Sequence, residues 1–162
     1  MTMLLITLTG CSSDDDGGSS GGAASGTINA KIDGTNFTSM EISSSATLAN
    51  SGQNLVIIGS NSSGKAITIT IIGYEGEGTY EISGSMVSSA SYSETDVSNP
   101  SNPTTEIWQS PYEDSLLGEI NISEETENKI KGTFNFMCKN VNGDDSIKNI
   151  TEGSFDLDKQ IT

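Results

Sequence analysis

Histidine and arginine are absent from the 162 residues, and the seven basic side chains are all lysine. Without His there is no imidazole base, proton shuttle or imidazole metal ligand, and without Arg there is no bidentate clamp for a carboxylate or phosphate. Acidic residues number 22, leaving a net charge of −15. So few cations cannot neutralise a phosphate backbone, which excludes nucleic acid as a partner. Cysteine is limited to two residues, proline to three and tryptophan to one. With no catalytic motif either, the chain reads as non-enzymatic, and no cofactor is expected. A length of 162 residues is one domain plus whatever its ends carry.

What is present begins with an address. Residues 1–10, MTMLLITLTG, are apolar but too short for a membrane-spanning helix, which needs ~20 residues. They read as a signal peptide, although no Lys or Arg supplies the usual basic start. The run ends in Leu8-Thr9-Gly10-Cys11, which resembles a lipobox, so Cys11 is the expected lipidation site and its lipid the expected link to a membrane. Asp14, Asp15 and Asp16 follow at once. They resemble the acidic export signal that sends Bacteroidota lipoproteins to the outer face of the outer membrane; the plainer reading is that they hydrate a tether. Gly and Ser then dominate to Gly26. Residues 11–26 are therefore read as lipidated cysteine, export signal and linker, a coil of ~20 Å at ~5–6 Å × √n.

Residues 27–162 are expected to form an all-β domain. Isoleucine outnumbers leucine 18 to 8, and β-branched residues recur with period two. Ile28, Ala30 and Ile32 alternate with polar neighbours before Asp33-Gly34, a hairpin signal that turns the chain towards Phe37. Leu55 to Gly59 and Ala66 to Ile72 form a central hairpin around Asn61-Ser62-Ser63-Gly64. Weaker strands are expected at 78–83, 88–93 and 104–109. In the last third, Ile120 and Ile122, then Ile130, Phe134, Phe136 and Cys138, then Phe155 and Leu157 share inward faces. This pattern specifies a C-terminal three-stranded meander. About nine strands and no convincing helix imply an antiparallel β-sandwich or a barrel.

Lys131-Gly132-Thr133-Phe134-Asn135-Phe136, then Asn140 to Gly143, then Thr151-Glu152-Gly153-Ser154-Phe155-Asp156 resemble the C-terminal signature of the Bacteroidota lipoproteins catalogued as domain of unknown function 6252. Asp33-Gly34 to Phe37 and Gly78-Thr79-Tyr80 also fit that pattern. The resemblance implies a lipid-anchored, β-rich domain at the cell surface and brings no ligand or catalytic residue with it.

Several residues invite a chemical reading. Cys138, the one thiol left once Cys11 is lipidated, alternates inward and reads as a small core hydrophobe. The acidic groups Glu75/Glu77/Glu81, Glu124/Glu125/Glu127 and Asp144/Asp145 lack the spacing of a calcium loop and read as solvated turn charges, so no metal is expected. Tyr92, Trp108 and Tyr112 border a stretch holding all three prolines. If Ile107 points to the core, Trp108 stands outward and marks a surface for a glycan or protein; otherwise Trp108 is a core residue. Ser115 and Ser146, each between Asp and an aliphatic residue, resemble the Bacteroidota O-glycosylation sequon. The function expected is therefore that of a surface-exposed outer-membrane lipoprotein with a binding or envelope-structural role. A carbohydrate-binding accessory role in glycan uptake is the alternative, followed by a carboxylate-dependent hydrolase. Ligand and oligomeric state are left open.

Overall fold

A computed structural model describes residues 22–99 and 101–162; Cys11, Asp14, Asp15, Asp16 and Pro100 lie outside the described residues. The chain is all β. Its strands are β1 (Thr27–Ile32), β2 (Thr35–Thr38), β3 (Ser44–Ala49), β4 (Asn54–Ser60), β5 (Lys65–Ile72), β6 (Gly78–Ser83), β7 (Ser89–Asp96), β8 (Thr104–Ser110), β9 (Leu116–Glu125), β10 (Lys129–Lys139) and β11 (Ile147–Ile161). A short 3-10 turn at Glu41–Ser43 precedes β3.

Eleven strands replace the nine expected, and the pairing is mixed rather than wholly antiparallel. The order is β2-β1-β11-β3-β4-β5-β7-β8-β10-β9-β6, with β10 also paired to β11. One broad layer therefore reads β2-β1-β11-β10-β9-β6, and the other reads β3-β4-β5-β7-β8. Two short links join them: Lys159 to Ile161 run parallel to Ala46 to Leu48, and Lys139 meets Gln109. Seven strands thus close into a ring, while β1-β2 and β9-β6 extend one layer beyond it. The expected C-terminal meander is β9-β10-β11.

The turns explain much of the register. Asp33 and Gly34 both adopt positive φ, 50° and 83°, as a two-residue hairpin requires. Asp33 Oδ1 accepts a hydrogen bond from the Asn149 amide (2.9 Å), which ties this turn to β11. Asn61 Oδ1 accepts from the amides of Ser63 and Lys65 (3.0 and 3.1 Å), closing the β4–β5 turn with a side chain.

A single core fills the space between the layers, from Ile28, Leu55, Ile67, Ile69 and Tyr92 across to Ile120, Phe134, Phe136 and Leu157. Within the six-stranded layer, three phenylalanines face three glycines across the strands. Phe134 is opposite Gly153, Phe136 opposite Gly118 and Phe155 opposite Gly132. A Cβ on Gly153 would sit 2.5 Å from the Phe134 ring, and one on Gly132 would sit 2.5 Å from that of Phe155. Each ring lies over backbone that only glycine leaves bare. The rings stack in turn, Phe134 on Phe136 at 6.1 Å and on Phe155 at 6.3 Å.

Candidate functional site

Bulges interrupt the six-stranded layer between Asn29 and Lys31, between Phe134 and Phe136, between Lys131 and Gly132 and between Ile82 and Ser83. On β11 the extra residue carries Glu152 at a φ of 51°, and inward facing passes from Ile150 to Phe155 and Leu157. Bulges bend strands and sharpen twist. The outer face of this layer holds a groove of about 610 Å³.

Pairing sets the chemistry of that groove. Thr38 lies opposite Asn29, Asn29 opposite Ser154, Ser154 opposite Thr133, Thr133 opposite Asn121 and Asn121 opposite Thr79. One unbroken row of hydroxyls and amides thus crosses all six strands, ~24 Å at ~4.8 Å per strand. Beside it, Lys31 pairs with Glu152 at 2.8 Å, and Asn135 lies opposite Glu119. The Thr79 hydroxyl donates to Asn121 Oδ1 at 3.3 Å. Asn29 Oδ1 is buried with no partner among the described residues, an acceptor whose desolvation is uncompensated. A second hollow of about 370 Å³ shares Glu119 and Asn135 and continues over Leu117 and Met137. The site combines a hydroxyl and amide floor with an apolar end, which suits an uncharged, hydroxyl-rich ligand. Sequence reading missed it, because its residues look like ordinary solvent-facing positions until the register aligns them.

The aromatic site expected around Trp108 is corrected. Trp108 is 3% exposed and Ile107 45%, so β8 presents the opposite face from the one a binding tryptophan needs. Tyr92 is its cross-strand partner and is itself fully buried, with the two rings 5.7 Å apart. Trp108 Nε1 donates to Ser146 Oγ at 2.9 Å, Lys148 Nζ sits 5.1 Å from the indole centroid, and the Tyr92 hydroxyl donates to Glu94 at 2.6 Å. Tyr112 lies half-buried in the loop after β8. The three aromatics do not form one exposed surface.

Ser115 is exposed, its hydroxyl donating to Glu113 at 2.6 Å, whereas Ser146 is half-buried and engaged by Trp108. Cys138 is buried and free, and burial pushes its thiol up to about 12. The acidic turn residues are occupied locally. Glu125 accepts from the Tyr74 hydroxyl and from Lys159, both at 2.9 Å, Asp144 accepts from the Ser146 amide, and Asp145 pairs with Lys139 at 2.9 Å. Among the described residues no three Cys, Asp or Glu side chains gather as a metal-holding group.

Residues 24–156 match the family model described as domain of unknown function DUF6252. No curated protein and no solved structure matches the chain.

Proposed function

The chain belongs to the DUF6252 family, and from that premise we propose that it is a lipid-tethered, non-enzymatic binding protein displayed on the outer membrane of a member of the Bacteroidota. The groove on the six-stranded layer is its ligand surface. The tether rests on Leu8 to Cys11 and on Asp14 to Asp16. The observation that carries the binding role is the row from Thr38 to Thr79, with the unpartnered acceptor of Asn29 inside it.

The same row favours the glycan reading over a purely structural role. Sugar hydroxyls both donate and accept, and Asn and Thr side chains answer both needs. Leu116 and Met137, both exposed, supply apolar surface beside that row. A printed array of neutral oligosaccharides tests this directly. Binding is expected for the wild type, with a loss of roughly tenfold or more for Thr133→Glu, which places an unpaired charge in the middle of the row. A blank array, or full binding by Thr133→Glu, contradicts the glycan reading.

A further inference from the structure

The five-stranded layer has an outer face unlike any other part of the molecule. Its charged residues, Lys65, Glu94, Asp96 and Glu106, all alternate onto the opposite face at one end of the strands, so every outward side chain of β3, β4, β5, β7 and β8 is uncharged. Ser and Thr dominate, and Ile58, Ile72 and Ile107 stand 40, 48 and 45% exposed among them. By contrast, the outer face of the six-stranded layer carries Glu81, Glu119, Glu152 and Asp156.

We propose that this charge-free face is where a second copy of the chain docks, face to face about a twofold axis. Two copies each carrying −15 repel wherever their carboxylates approach, and a twofold contact sets each residue near the axis against its own twin. A partner of opposite charge gains nothing from a neutral surface, whereas a second copy requires one. The exposed isoleucines supply apolar contact within that uncharged face. Five strands about seven residues long give a plan area of roughly 500 Å², below the ~800 Å² per partner of a standard stable interface. The dimer is therefore weak and concentration-dependent. It would also point the two grooves in opposite directions, making the pair bivalent for a ligand.

Sedimentation velocity on the full chain carrying Cys11→Ser, which takes no lipid, is the test. A monomer–dimer equilibrium is expected, and raising NaCl from about 50 mM to about 500 mM should strengthen it by screening the acidic rims. Thr68→Glu, at the centre of the face, should weaken the dimer by roughly tenfold or more. Asn142→Asp, which adds the same charge in the β10–β11 turn, should leave it unchanged. Thr68→Lys lowers the net negative charge yet must also weaken the dimer, since it too meets its twin. Melting curves of the variants establish that they are folded. A chain that stays monomeric to about 1 mM at high salt, equal weakening by Thr68→Glu and Asn142→Asp, or tighter association by Thr68→Lys would overturn the proposal. So would binding of a neutral polysaccharide to this face with no self-association.

Discussion

Trp108 illustrates how one side chain is decided by its neighbours. Period two placed Trp108 and Ile107 on opposite faces of β8 but left open which face is inner. The choice is made across the strand, where Tyr92 meets Trp108 and continues to Ile67, all in the core. Sequence alone lacks that register. Replacing Trp108 with Ala should therefore cost ~3–5 kcal/mol as a large core truncation and free the Ser146 hydroxyl, as chemical denaturation would report. A change below about 1 kcal/mol would mean the indole contributes no core packing. Burial raises the thiol of Cys138 from 9.0 to about 12; it also raises the hydroxyls of Tyr92 and Tyr74 above 10.0, with Glu94 and Glu125 as further causes. The folded chain thus holds protons that the unfolded chain releases. That stability is complete below about pH 9 and is lost as pH rises through 9 and 10 towards the folded values. Melting temperature measured from neutral to pH 11 should fall across this window; a flat profile would contradict the burial of these groups.

At the scale of elements, the strongest pattern in the sequence is a packing device. Lys131-Gly132-Thr133-Phe134-Asn135-Phe136 and Gly153-Ser154-Phe155 carry the family resemblance, and their apolar members are the rings and bare glycines that interlock between β10, β9 and β11. Their alternate members, Thr133, Asn135 and Ser154, line the groove, so one motif builds both the core and the candidate site. Gly153→Ala should destabilise the fold by ~1–3 kcal/mol, because its methyl group meets the Phe134 ring; an unchanged unfolding midpoint would refute the interlock. The meander and the hairpins at Asp33-Gly34 and Asn61–Gly64 were legible because large inward residues and turn chemistry agree there. β3 was not: its only buried residues are Ala46 and Leu48, and the others, Ser44, Ser45, Thr47 and Ala49, are small. It exists because Leu55 and Ile57 on β4 provide the bulk opposite it. The parallel link between β3 and the end of β11 is equally invisible in sequence, being a contact between segments more than a hundred residues apart.

For the whole molecule, charge and the proposed attachment act together. The chain's net charge of −15, most of it in the β-domain, is repelled by an anionic membrane surface, so a hydrated tether of about 20 Å would hold the domain clear and leave both broad faces available. Replacing Asp14, Asp15 and Asp16 by Ala should preserve lipidation yet reduce digestion by protease added to whole cells; unchanged digestion would leave the aspartates as hydration alone. Cys11→Ala should release the chain from the membrane fraction, since stable anchoring takes more than one acyl chain. The most direct measurement of tethered display combines both properties in one sample: cells fed labelled palmitate are treated intact with protease, and the labelled chain is followed. The account predicts that the wild-type chain takes up label and that the protease removes its domain from unbroken cells. A chain that never carries label, or whose labelled form survives the protease until the cells are opened, would contradict it.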